Sequence, residues 1–483
     1  MTRVPDGFLW GASTSAHQVE GNNTSSDIWR LEGSGIMTEY SGDADDSYHR
    51  YPEDMRLLAD AGLNAYRFGI EWARIEPEKG RWSNAELAHY RRMIDTARNL
   101  GLEPVVTLHH FTSPHWFAEA GGWTGDDALE RWRLYIERVS SILDGVSWVC
   151  TINEPNMVAL MQMFLGGDIS RDDLGQGLTL AHDGPLTPDV QLGARLVEAH
   201  RIAVEVLRER TSAKVGWTVA QQAFTPTPGN EEVFQKVNWA WEDQYLEASR
   251  GDDFVGVQSY TTQPVNAQGP VPHPPHPDNT ITGWAYRPDA LGIALRHAHE
   301  VAGVPLLVTE NGIATGDDER RIAYTTEALR HLAAAVEDGI DVRGYLHWSA
   351  LDNYEWGHWG PTFGLIAVDR ETFERRPKPS LAWLGEVART GAAHIPAGTA
   401  SFAPEASAET APDTLFSAGS LVGALLDDDR SRAVLDDAAP GIAAHPMIGM
   451  ARGLSLETVA GMAADVLSAE ALAELDERLR AIV

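Results

Sequence analysis

The chain reads as an α/β protein: a (β/α)8 TIM barrel with a small C-terminal all-helical appendage. Three observations predict it. Eight short β-type runs alternate with longer helical stretches. Several of those runs are apolar almost throughout, as parallel strands covered on both faces are. The 483 residues exceed the roughly 250 that such a barrel requires. An open doubly wound sheet ranks lower, because no Gly-rich phosphate fingerprint follows the first strand.

The expected strands are 8–12, 65–70, 104–109, 148–153, 214–220, 254–258, 305–310 and 342–348. Helical periodicity runs through 54–61, 84–100, 128–143, 190–210 and 319–338, and Gly62, Gly101 and Gly339 are placed to close three of these helices. A loop over 261–279 contains Pro272-His273-Pro274-Pro275-His276-Pro277. It reads as a stiff surface loop near the barrel mouth rather than a metal tract, since no Cys or carboxylate spacing completes a ligand set. The barrel domain is expected over 1–394, a linker rich in Ala, Pro, Ser and Thr over 395–414, and a helical module over 415–483. In that module Leu421, Leu425, Leu426, Val434, Leu435, Leu472, Leu475, Leu479 and Ile482 fall at helical spacing. Met447, Met450 and Met462 read as core gap fillers.

Composition narrows the function classes. A formal charge of −32 argues against nucleic acid and anionic membrane surfaces, both of which call for clustered Lys and Arg. Cys150 is the single cysteine, so no intrachain disulfide can form, and its apolar setting reads as a small buried hydrophobe. The N-terminal residues lack the apolar stretch of a signal peptide, and no segment is long and apolar enough to span a bilayer. A cytoplasmic protein is expected.

The chemistry gathers at strand ends. Glu154 and Glu310 each follow an apolar run and precede a turn, the position at which a barrel keeps its reactive groups. Two carboxyls, one protonated and one ionised, are the equipment for breaking an acetal. Asn153 can donate to a sugar hydroxyl. Arg67, at the end of the second strand, needs a buried anion; Glu310 is the obvious partner, and Tyr260 can donate to the same carboxylate. Trp348 can stack on a pyranose face, Glu355 can accept from two hydroxyls, and the Trp356 indole N–H can donate. Gln18 and His110 also carry suitable groups. With sixteen Trp in the chain, many must simply pack. His109 and His110 are adjacent and should face opposite ways, so a shared metal is not expected.

These segments together resemble glycoside hydrolase family 1, the β-glucosidase family of retaining barrel enzymes. The resemblance spans about residues 5–384. It is carried by Phe8-Leu9-Trp10-Gly11-Ala12-Ser13-Thr14-Ser15-Ala16-His17-Gln18-Val19-Glu20-Gly21, by Thr151-Ile152-Asn153-Glu154-Pro155-Asn156 and by Thr309-Glu310-Asn311-Gly312. Thr282-Gly283-Trp284 and the run from Trp348 to Trp356 add to it. The resemblance implies Glu154 as general acid/base and Glu310 as nucleophile, supported by Arg67 and Tyr260. It further implies glycone contacts from Gln18, His110, Asn153, Glu355 and Trp356, and a platform from Trp348. It implies a small-molecule β-glycoside as substrate, with no cofactor and no metal.

Some positions depart from the commonest family pattern. Gln258-Ser259 replaces Asn-Tyr, Asn156 stands where many members carry an aglycone-side Trp, His109 replaces Tyr, and Phe111-Thr112 replaces Trp-Asp. Gly357-His358-Trp359-Gly360-Pro361 lacks the Ser and Lys that hold a 6-phosphate, so an unphosphorylated sugar is expected. The expected activity is that of a retaining exo-β-glycosidase, a β-glucosidase first of all, with its carboxyls about 5–5.5 Å apart. A transglycosylase on the same residues and a silent sugar-binding protein are the alternatives. The helical tail leaves a homo-oligomer open.

Overall fold

The computed structural model describes residues 4–32, 37, 39–165, 187–274 and 276–390, with 416, 420, 422–427, 429–438, 456, 469–480 and 482. The chain divides into two compact units, one of 1–168, 184–273 and 278–397, the other of 169–183, 274–277 and 398–483.

The first unit holds a closed barrel of eight parallel strands: β1 Leu9–Ser13, β2 Ala65–Gly69, β3 Glu103–Thr107, β4 Trp148–Asn153, β5 Lys214–Ala220, β6 Val255–Gln258, β7 Leu306–Glu310 and β8 Val342–Trp348. Neighbours follow chain order, and β8 closes on β1 with Gly11 opposite Leu346 and Ser13 opposite Trp348. The bounds lie within two residues of those expected from the sequence. Leu9, Ala65, Val105, Trp148, Cys150, Phe254, Leu307 and Leu346 meet as an apolar plug, so Cys150 is the buried hydrophobe its context suggested.

The other strand face packs on helices. Asn84–Asn99 starts where the Ser83 side chain accepts from the Glu86 N–H, satisfying one of the open donors of the first turn. Its Leu87, Tyr90, Met93, Ile94 and Ala97 are buried at helical spacing. Val190–Arg210 and Asp318–Glu337 are capped the same way by Asp189 and Asp317. Gly62, Gly101 and Gly339 all take the left-handed conformation that ends helices cheaply only without a Cβ.

Three elements differ from the expectation. The helix read from residue 54 begins at Ser47 and runs through Pro52. Proline forfeits one backbone bond there, but Tyr51, Met55 and Leu58 are buried on the same face and hold the helix. A helix at Ala290–Ala302 links β6 to β7; its His and Gly residues obscured the pattern. The 261–279 loop contains a strand, Gln263–Asn266, parallel to Phe224–Pro226 and antiparallel to Gly269–Pro270. Pro264 disguised it, as proline does in edge strands.

In the second unit, helices Val422–Asp427, Asp429–Ala438 and Ala469–Arg480 are described. Val422, Leu425, Leu426, Leu435, Leu456, Leu475, Leu479 and Ile482 form its apolar cluster, with Val434 and Leu472 packed against it. The expected linker 395–414, Leu421, Met447, Met450 and Met462 lie outside the described residues. Among the described residues, no helix is long and apolar enough to cross a membrane.

Candidate active site

Glu154 and Glu310 stand at the C-terminal ends of β4 and β7. Both strands lose regular register just before them: β4 against β5 between Cys150 and Asn153, and β7 against β6 between Val308 and Glu310. An extra residue in a strand re-aims the side chain that follows. In β4, Cys150 belongs to the inner plug while Ile152 joins the outer core, so strict alternation is broken and Asn153 turns onto Arg67. The backbone then bends: Glu154 has φ 43° and donates its N–H to the Thr218 carbonyl at 2.9 Å.

Arg67 is fully buried and each nitrogen has a partner. Nη1 donates to Glu310 Oε1 at 2.6 Å, Nη2 to Asn153 Oδ1 at 2.5 Å, and Nε to Thr107 Oγ1 at 3.0 Å. The Tyr260 hydroxyl donates to Glu310 Oε2 at 2.7 Å. Tyr260 is itself held by the Tyr324 hydroxyl on its carbonyl at 2.6 Å and by ring contacts with Trp284 and Phe363. Both Glu310 oxygens thus meet donors, whereas no donor among the described residues reaches the Glu154 carboxyl.

That asymmetry divides the proton. Burial pushes the Glu154 carboxyl well above its ordinary value, the Glu310 charge pushes it further, and Arg67 only partly offsets them. Burial raises Glu310 too, but Arg67 and the Tyr260 hydroxyl oppose it directly. Of the pair, Glu154 keeps the proton and Glu310 carries the charge.

Across from them, Glu355 accepts from Trp348 Nε1 at 3.0 Å and Gln18 Nε2 at 3.2 Å. Gln18 is oriented by the Ser15 hydroxyl at 2.6 Å and by its own bond to the Tyr354 carbonyl at 2.9 Å. Burial pushes Glu355 up to about 8, opposed by the Trp348 bond and reinforced by the Glu310 charge. His110 lies near-parallel to Trp348 and to Trp356, with ring centroids 5.9 and 6.2 Å away, and its Nε2 meets the Asn153 NH2 group at 3.1 Å. Burial and the Arg67 charge keep its imidazole neutral, so Nε2 is the acceptor of that contact. Phe111, Glu154 and Trp356 are all non-glycine residues at positive φ, each costing on the order of 1–3 kcal/mol. Gly312 is needed for close approach: a Cβ there would sit 2.1 Å from the Trp348 carbonyl oxygen. The Trp348–Ser349 peptide is cis.

Every site residue read from the sequence therefore borders one barrel mouth. Thr107, Thr218 and Tyr324 were missed; for the two threonines, the available signal was a hydroxyl inside an otherwise apolar strand. Asn156 does not line an aglycone surface. It is fully buried and its amide donates to the Ala220 and Trp241 carbonyls at 2.7 and 2.8 Å. His109 diverges from His110 toward Ser113 Oγ at 3.0 Å and the Trp123 ring. Beyond Phe111 lies a cavity of about 310 Å³ bordered by Asp27, Arg30, Trp123, Val158 and Met161.

A barrel mouth with one protonated and one charged carboxyl, aromatic walls and convergent hydroxyl-binding groups is equipped to split a glycosidic bond. The comparisons agree with that class. The profile described as glycosyl hydrolase family 1 matches residues 1–247 and 242–392. Thermostable β-glucosidase B of Thermobispora bispora is 33% identical over 448 residues, covering 80% of this chain and 90% of the relative. A bifunctional β-D-glucosidase/β-D-fucosidase of Bifidobacterium breve is 29% identical, covering 79% and 98%. Among solved structures, the apo form of β-glucosidase 1317 shares 43% identity at a TM-score of 0.72, covering 80% of this chain and 99% of that one. The chain belongs to glycosyl hydrolase family 1.

Proposed function

We propose that the protein is a retaining exo-β-glucosidase acting on an unphosphorylated terminal glucoside. The observation that carries this reading is the unequal treatment of the two carboxyls: among the described residues, two donors on Glu310 and none on Glu154. Glu154 protonates the glycosidic oxygen as the C–O bond breaks, and Glu310 attacks the anomeric carbon to give a glycosyl ester. The alcohol leaves. Glu154, now a base, takes a proton from water, whose oxygen displaces Glu310 and releases the sugar with its configuration retained. Gln18, His110, Asn153, Glu355 and Trp356 bind glycone hydroxyls, and Trp348 faces the sugar ring. The curated relatives named as β-glucosidases support glucose as the glycone.

Residues 1–394 form the catalytic domain in this reading, with 395–414 a linker and 415–483 a helical module. A single, buried cysteine suits a reducing compartment, and we place the protein in the cytoplasm, which cell fractionation would check. The function is tested with 4-nitrophenyl β-glucoside. Turnover should vanish to background in Glu310→Ala, and NMR should show the β-anomer released first. Unchanged turnover in that variant, or the α-anomer first, contradicts the mechanism.

A further inference from the structure

Asn153 Oδ1 is the acceptor of three hydrogen bonds from three different strands. Arg67 Nη2 reaches it at 2.5 Å, Thr218 Oγ1 at 2.9 Å and Gln258 Nε2 at 3.0 Å. An amide oxygen has two lone pairs, so this one is saturated. The arrangement also decides which end of the amide is which. A flipped Asn153 would turn its NH2 toward Arg67, which has no acceptor to offer. The Asn153 nitrogen is therefore directed away from the trio. One of its N–H bonds goes to His110 Nε2 at 3.1 Å, and the other is left for a ligand.

We infer that Gln258 and Thr218 are positioning residues that set how strongly the enzyme depends on the hydroxyl beside the anomeric carbon, by locking the Asn153 amide. The inference rests on the glycosidase reading above. Arg67 joins Asn153 and Glu310 through its two terminal nitrogens, so the amide lies beside the carboxylate that attacks the anomeric carbon. The sugar hydroxyl closest to that carbon, on C2, is the one within its reach. Hydrogen bonds to that hydroxyl strengthen in the transition state: as positive charge grows on the ring the hydroxyl becomes the better donor, and an Asn153 N–H held on its oxygen leaves the hydroxyl proton for the Glu310 carboxylate.

Gln258 is suited to this single purpose. It is 1% exposed; among the described residues its Oε1 has no partner, and its amide makes one hydrogen bond, the one to Asn153. Thr218 is placed by what opposes it: a Cβ on Gly256 would meet Thr218 Cγ2 at 2.6 Å, so the missing side chain on β6 makes room for the threonine of β5. Gln258 is also a departure from the Asn usual at that position. Its longer side chain is the one that reaches Asn153 here.

The test compares 4-nitrophenyl β-glucoside with its 2-deoxy analogue in the full-length enzyme. Gln258→Leu and the isosteric Thr218→Val should each lower kcat/KM on the glucoside by about tenfold, mainly through kcat. Both should leave the 2-deoxy substrate within about twofold, so the ratio between the substrates collapses. Thr218→Ser keeps the hydroxyl and should keep the ratio. Thermal melting of each variant shows whether the fold is intact. Equal losses on both substrates, or an unmoved ratio in Gln258→Leu and Thr218→Val, overturn the inference while the glycosidase reading stands. A wild type that cleaves neither substrate overturns the glycosidase reading and this inference with it.

Discussion

Replacing Tyr260 by Phe removes one oxygen atom and tests the charge on Glu310 directly. The ring should stay in place, because Trp284 and Phe363 pack against it and the Tyr324 hydroxyl holds its carbonyl. The lost bond is the 2.7 Å donation to Glu310 Oε2. A hydrogen bond to a charged group contributes about 1.5–3 kcal/mol, and one pKa unit corresponds to about 1.4 kcal/mol. Tyr260 lowers the Glu310 pKa, so its loss raises that pKa and removes stabilisation of this size from the charged form. The ring borders the open mouth, and water entering there replaces part of the bond, which favours the lower figure. Glu310 attacks only when ionised. The acid limb of kcat/KM against pH should therefore move upward by about one unit, while the basic limb, set by proton loss from Glu154, moves far less. The two carboxyls are coupled, so the limbs report the pair rather than single residues. The assay is initial-rate hydrolysis of an aryl β-glucoside across the pH range, with Arg67 intact. A fall in kcat/KM with the acid limb unmoved would show that Tyr260 only positions Glu310, and the charge-holding account would fail.

Three further outcomes are expected. Glu154→Ala should reduce hydrolysis of glucosides with poor alkyl leaving groups by at least about a hundredfold, and much less for first-step release of nitrophenol, which needs no proton; burst kinetics separate the two. Gly312→Ala should displace the Trp348 backbone, given the 2.1 Å approach, costing about 1–3 kcal/mol of stability and raising KM for the sugar, as read by melting and steady-state kinetics. Burial raises Glu242 from 4.5 to about 7, so the folded state holds its proton more tightly than the unfolded chain. The stability this lends is complete below about 4.5 and is lost as pH rises through about 7, amounting to about 3 kcal/mol. Glu242→Gln should therefore flatten the pH dependence of Tm across that window, and an identical slope in variant and wild type would contradict the assignment.

Much of this molecule is legible in one dimension. The apolar runs at 148–153 and 342–348 mark β4 and β8 to the residue, because a strand buried on both faces has no reason to alternate. Ser83, Asp189 and Asp317 announce helix starts. Where local rules conflict with burial, the reading errs: Pro52 is carried inside a helix, and Pro264 inside an edge strand. Asn156 shows the same limit at the site. A position associated with the aglycone is here occupied by a residue whose amide nitrogen donates to two backbone carbonyls, and only its buried setting reveals that.

The placement of the candidate reactive groups was available from residue type and strand-end position, since a short apolar run followed by a turn places its last side chain at the barrel mouth whatever the rest of the chain does. Their division of labour was not. Arg67 and Glu310 are 243 residues apart, and no periodicity encodes an approach over that distance. The breaks in β4 and β7 register, the three donors on Asn153 and the lack of any on Glu154 among the described residues arise only when eight strands close into a ring. Protonation is set by burial and by neighbouring charge, and both belong to the assembled barrel rather than to any segment of it.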